Sequence, residues 1–298
     1  MSNRSSIAKK IMRAIGMLAI LGAVALAVYA VFVQPWMMRW GATDAEAQMA
    51  LPGDDLVPNP TAQSTRALTI NAPASEVWKW LVQIGQNRAG FYSYTFIENM
   101  LRLDIHNVDQ VIPEFQNLKV GDFVRPVPPD YMGGRLSDKE GWYVAVLEPN
   151  RTLVLKGWGA FVLVPIDEKR TRFIIRTPSH LRGLARVPDY LIWQPAHFIM
   201  ERRMMLGIKE QAEAGGGIKV PSTGDLLWFC SIVVSGLAIL GILFSRKWPW
   251  TLGVASAGII ILEIVLFRVP PLPIYGALLL LGILVALLWA YWPRHRRT

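Results

Sequence analysis

Residues 66–85 read RALTINAPASEVWKWLVQIG. Arg66 to Asn71 alternate well enough for a strand with one buried face. Pro73 suits the first turn of a helix, and Glu76 sits where the helix dipole favours an acid. Val77, Trp80, Leu81 and Ile84 recur at helical spacing, which buries one face of that helix. Gly85 is placed to end it. A strand that feeds an amphipathic helix marks the start of a folded domain.

The chain downstream extends this pattern. Residues 81–98, LVQIGQNRAGFYSYTFIE, set Phe91, Tyr92, Tyr94 and Phe96 beside Gln83, Gln86, Asn87, Arg88 and Glu98. A second helix is expected from Ser93 to Leu101, where Phe96, Ile97, Met100 and Leu101 repeat. Strand-like pieces follow at 121–127, 141–149, 151–158, 160–167 and 171–177, with EPNR and DEKR as hairpin turns. A long helix is expected over 188–214, with Leu191, Pro195, Phe198, Met205, Ile208 and Ala212 along one stripe. One strand, two helices, about five strands and a long helix predict an α+β layering, an antiparallel sheet with helices on one side.

The order and wording of residues 66–101, the strand DFVRPV, the EKRTRFIIR hairpin and the helix carrying FIMERRMMLGIKEQAE resemble the START-like helix-grip (SRPBCC) superfamily. The nearest group in kind is the bacterial polyketide cyclase/dehydrase-like proteins. The strand followed by Ala-Pro-x-x-x-Val-Trp carries most of the likeness, which covers about 66–214. It implies a curved antiparallel sheet around a long carboxy-terminal helix, with a cavity between them. It does not imply one function, since such folds carry lipids, receive hormones or catalyse cyclisation. The cavity wall implied by the resemblance takes in Trp80, Phe91, Tyr92, Tyr94, Phe96, Arg176 and Phe198 as candidate ligand-binding residues.

The flanks have another character. The chain has 298 residues and is 52% hydrophobic. Four apolar runs, 15–35, 226–244, 250–267 and 272–292, approach the roughly 20 residues that cross a bilayer. Trp36, Trp40, Trp228, Trp248, Trp250, Trp289, Tyr291 and Trp292 near their ends read as an aromatic belt. The first run is longer than a signal-peptide core, which favours an uncleaved anchor. Residues 41–65, rich in Pro and Gly, read as a tether, and GGGIK within 215–225 reads as a hinge.

The net charge of +9 does not signal nucleic-acid binding. Residues 41–225 hold 20 Lys/Arg against 21 Asp/Glu, while the remaining 11 basic residues, with Glu263 alone against them, flank the apolar runs. Arg4, Lys9, Lys10 and Arg13, then Arg246 and Lys247, then Arg294, Arg296 and Arg297 fall on one side of four spans. Positive residues mark that side as cytoplasmic, which puts the basic start 1–14, the tail 293–298 and both termini there and the domain 66–214 outside.

Motifs for chemistry are sparse. The lone cysteine, Cys230, excludes an intrachain disulfide. His106, His180, His197 and His295 show no metal-ligand spacing, so neither metal nor cofactor is expected. GGGIK lacks the pattern of a phosphate loop, and no Gly-x-Ser-x-Gly elbow is present to activate Ser93, Ser137 or Ser179. Asp104 and His106 share a face if their segment is extended, and an Asp-oriented His is a general base. Glu98 with Arg102 reads as a surface i,i+4 pair; buried instead, Glu98 becomes an acid. Glu98, Asp104 and His106 are thus the weak catalytic candidates. Arg172 and Arg176 share a strand face, with Arg182 and Arg186 beyond, and suit an anionic group at the cavity mouth, or else an outward-facing sheet surface. Glu263, near the end of its span, is expected to reach the interface or meet Arg268.

Three functions remain open. One is a membrane-anchored module that binds or transfers an apolar small molecule or lipid. Another is a cyclase- or hydrolase-type enzyme, and the third is a structural or sensory membrane protein.

Overall fold

The computed structural model describes residues 2–134, 141–242, 250–268 and 272–291. Ser137, Arg246, Lys247, Trp248, Trp292, His295, the basic tail and the end of the second apolar run lie outside these. Two compact units divide the chain: residues 1–35 with 223–298, and residues 36–222.

In chain order the helices are α1 (Ile7–Met38), α2 (Asp44–Gln48), α3 (Ala74–Leu81), α4 (Thr95–Met100), α5 (Gln194–Ala214), α6 (Thr223–Ile242), α7 (Trp250–Arg268) and α8 (Pro273–Tyr291). The strands are β1 (Ala62–Ile70), β2 (Phe123–Val124), β3 (Trp142–Glu148), β4 (Thr152–Lys156), β5 (Gly159–Asp167) and β6 (Arg170–Ser179). They form one antiparallel sheet in the order β1-β6-β5-β4-β3-β2. The middle unit is therefore α+β, as the periodicities predict.

Several boundaries differ from the sequence expectation. The strand expected at 121–127 keeps only two residues. β1 begins at Ala62, four residues early, because pairing with β6 extends from Ile70 and Thr171 back to Ala62 and Ser179. The hairpin turn between β3 and β4 holds Asn150 at φ 62°, a left-handed conformation that Asn tolerates. Tyr190 to Trp193 lead continuously into α5, but Leu191 is exposed and leaves the expected apolar stripe.

Side-chain alternation gives the sheet two apolar faces. Phe173 and Ile175 on β6, with Leu153, Leu155 and Phe161, join Trp80, Met204, Met205 and Ile208 in the main core under α3 and α5. Ile174, Ala67, Val154, Ala160 and Val162 turn to the other face and meet Leu51.

The segment 41–65, read as a tether, packs in part on that second face. Thr43 caps α2 in a capping box with Glu46. Arg172 holds Glu46 through two nitrogens at 2.7 and 2.9 Å. Arg176 donates to the carbonyls of Met49, Glu46 and Ala47, to Asp54 Oδ2 and to Thr65 Oγ1, all at 2.7–3.1 Å. Composition shows turn residues; it does not show the two arginines, more than 120 residues away, that fasten the segment to the sheet. The expected hinge is likewise pinned at its start. Gly215, at φ 75°, ends α5, and the side chain of Gln211 exchanges two hydrogen bonds with the backbone of Ile218.

In the other unit, α1, α6 and α7 are each long and apolar enough to cross a membrane. α8 is apolar as well, but its fully described stretch, Pro273–Ala286, is shorter than that length. Gly276 lets α8 approach Ser231 of α6 closely. Trp228, near the start of α6, is buried. Arg268 donates to the Phe32 carbonyl at 3.1 Å, and among the described residues one buried carboxylate oxygen of Glu263 has no hydrogen-bond partner.

Candidate functional site

The face of the sheet under α5 carries a buried charge at Arg66. Arg66 on β1 stands opposite Ile175, on the face that α5 covers. Its guanidinium pairs with Glu201 of α5, donates from Nε to the Met37 carbonyl at 2.9 Å, and lies 5.1 Å from the centre of the Phe198 ring. Arg202 lies over the same ring at 5.3 Å and faces the Tyr94 hydroxyl.

The second carboxylate oxygen of Glu201 is shared. Trp158 Nε1 and Thr177 Oγ1 each donate to it at 3.3 Å, and His197 Nε2 lies 3.5 Å away, one helical turn earlier on α5. Burial raises the Glu201 carboxyl, but the Arg66 guanidinium beside it outweighs this and holds the group below the ordinary carboxylate range. Burial pushes the His197 imidazole down, against the pull of Glu201, so it favours the neutral form. A neutral imidazole has one donor and one acceptor nitrogen. Nε2 faces Glu201, and among the described residues Nδ1 makes no hydrogen bond.

Aromatic rings run from this cluster both inward and outward. Trp158 meets Trp142 at 4.3 Å, Phe161 at 5.0 Å and Phe91 at 5.9 Å. On the other side it meets His197 at 6.1 Å, and His197 stacks on Trp193 with the rings 6° from parallel. Trp193 is exposed, and the His197 side chain is 22% exposed. The arrangement offers flat apolar surface, one neutral hydrogen-bonding ring near the rim and a compensated charge pair beneath.

The ring-rich corner has a different role. Tyr92 is buried, its hydroxyl takes a hydrogen bond from Gln83 Nε2 at 2.6 Å, and its ring meets Trp80 edge-on at 5.8 Å. Burial drives the Tyr92 hydroxyl well above its usual pKa. Asn107 Oδ1 accepts from the Phe91 and Tyr92 amides, and Arg88 donates to the Val82 and Phe115 carbonyls. Gln83 and Arg88, with Asn107 from the following loop, thus satisfy a tightly wound backbone. Tyr94 and Phe96 meet each other at 5.7 Å. Phe91 alone of these four rings touches the Trp158 ladder. Phe198 lies on the Arg66 side, against Trp36 at 5.6 Å and Trp40 at 6.2 Å.

Arg176 is not at a cavity mouth. It is buried on the sheet face away from α5, with all three guanidinium nitrogens bonded. The odd-even alternation along β6 decides this, since Phe173, Ile175 and Thr177 take the α5 side.

Asp104 and His106 do meet, at 3.0 Å, but their side chains are 70% and 78% exposed, and Asp104 has φ 48° rather than an extended conformation. A pair this open to water lacks the desolvated setting that tunes a general base. Glu98 is buried and makes no surface pair. α4 stops at Met100, and Arg102 lies beyond it at φ 61°, which removes the helical i,i+4 geometry. Burial raises the Glu98 carboxyl to about 7, and among the described residues its Oε2 has no hydrogen-bond partner.

Sequence reasoning missed Arg66, Trp158, Thr177 and Glu201, and treated His197 as isolated. One local signal was available: His197 and Glu201 are spaced i,i+4. No group of three or more His, Cys, Asp or Glu side chains that could hold a metal occurs among the described residues. No family model matches the chain, and neither a curated protein nor a solved structure does.

Proposed function

We propose that this chain is a membrane-anchored binding protein. Its START-like helix-grip domain takes up an apolar small molecule or lipid between the sheet and α5. The reading includes four spans, α8 being the fourth, with both termini cytoplasmic and the domain outside. The basic residues that flank the apolar runs support that orientation.

The observation that carries the binding reading is the ladder Trp142–Trp158–His197–Trp193, which leads from the core to an exposed ring and passes the buried Arg66–Glu201 pair. Ligand sites are commonly aromatic-lined with a few placed polar groups, and this seam has that composition. The catalytic alternative has less support, because the Asp104–His106 pair stands in solvent.

Native mass spectrometry of the full chain in mild detergent tests the reading. An apolar molecule is expected to accompany the protein, and Trp158→Phe, which keeps a ring but removes the N–H facing Glu201, is expected to lower its occupancy. Protein that is reproducibly empty after extraction from its native membrane overturns the proposal. For orientation, alkaline phosphatase fused after residue 215 is expected to be active, and an inactive fusion reverses the topology.

A further inference from the structure

Between β6 and α5 the chain makes helical turns at Gly183–Ala185, Arg186–Pro188 and Asp189–Trp193 that leave their apolar side chains uncovered. Leu184 is 89% exposed, Ile192 67% and Trp193 66%, and Leu181, Val187 and Leu191 are exposed too. Leu184, Val187 and Leu191 recur at i, i+3 and i+7. Contiguous apolar surface of this kind on a folded domain marks an interaction site.

We propose that residues 181–193 dock the domain onto the surface of an anionic bilayer, with the apolar side chains entering the boundary between headgroups and acyl chains. Charge placement fits this occupant. Arg182 and Arg186 are exposed among the apolar residues. The one acid of the segment, Asp189, is buried, and its Oδ2 accepts from Gln194 Nε2 at 2.8 Å, so it does not oppose a negative surface. An exposed tryptophan beside aliphatic and basic residues is the composition that settles at a membrane interface.

The covalent chain supplies the membrane. Residues 36–222 are bounded on both sides by helices of membrane length, α1 and α6. A surface tethered at both ends to helices of membrane length meets the bilayer at high effective concentration. The inference rests on the membrane anchoring proposed above and not on any ligand in the domain.

The test uses the full chain in a Cys230→Ser background, reconstituted into phosphatidylcholine vesicles with or without phosphatidylglycerol. Leu184→Cys carries an environment-sensitive dye, and Lys169→Cys, in the exposed β5–β6 turn, carries it as the control. The expected result is strong quenching at residue 184, and not at 169, by lipids bearing a nitroxide near the headgroup. Arg182→Gln and Arg186→Gln are each expected to lower the docked-to-free ratio about fivefold in the anionic vesicles, the factor a basic residue contributes near such a surface. Equal quenching at residues 184 and 169 overturns the proposal. Failure of the protein to insert into vesicles at all overturns the anchoring instead, so the two are distinguishable.

Discussion

Arg66 of β1 and Glu201 of α5, 135 residues apart, form an ion pair whose side chains are 2% and 0% exposed. It ties the first strand of the sheet to the long helix, at the point where the rings of Phe198, His197 and Trp158 converge. Two opposite charges in so dry a setting tolerate each other and little else.

Glu201→Leu alone is therefore expected to cost about 3–5 kcal/mol, because it strands the Arg66 charge. The double variant Arg66→Met with Glu201→Leu should recover most of that loss. Unfolding of the full chain in detergent, read as a double-mutant cycle, checks both. A double variant as unstable as the single one would show that the guanidinium serves other partners more than Glu201.

Glu98 gives the opposite dependence on pH from a salt-bridged acid. Its carboxyl titrates near 7 in the fold against 4.5 when free, so the native state holds the proton longer. Its contribution is most favourable below pH 4.5, weakens as the pH rises towards 7, and is fully adverse above that. Glu98→Gln should stabilise the protein at pH 8 by up to about 3 kcal/mol, and by little at pH 4. Melting temperatures of both proteins at the two pH values decide the matter.

Glu46 supplies the acid-labile counterpart. Its hydrogen bonds to Arg172 bring the carboxyl down to about 2. The stability it lends is complete above pH 4.5 and disappears as the pH falls towards 2. Arg172→Ala should loosen the start of the segment, residues 41–46, at neutral pH, while Arg176 still holds Met49 and Asp54. Limited proteolysis is expected to cut there in the variant and to spare the wild type.

Gly207 on α5 faces the backbone of Tyr92. A methyl group at that position would stand 2.4 Å from the Tyr92 carbonyl oxygen and 2.7 Å from its Cβ. Gly207→Ala gains helix propensity but forces α5 away from the corner, so a net loss of about 1–3 kcal/mol is expected. A more stable variant would mean that the corner yields more easily than its buried bonding suggests.

Much of the domain was legible in local pattern. The strand and helix of residues 66–85, the β3–β4 and β5–β6 hairpins and the long helix follow from periodicity and turn residues. The candidate site was far less so. Arg66 lies in a strand that reads as ordinary alternation, Trp158 in a turn, and Glu201 in a charged stretch of helix. Nothing local distinguishes them, because what makes them unusual is mutual burial. Arg176 misled for a related reason: its strand face was legible, but what covered that face was not.

By itself the sequence determined which segments are apolar enough for a membrane, where strands and helices lie, and that the middle unit mixes both. Those properties depend on side-chain spacing over a few residues, and chain geometry converts spacing directly into a buried face. Only the tertiary structure decided that residues 41–56 clothe the second face of the sheet, that Glu98 is buried, and that Arg66, Trp158, Thr177, His197 and Glu201 share one place. Desolvation and long-range charge pairing set those outcomes, and both depend on groups brought together from distant parts of the chain.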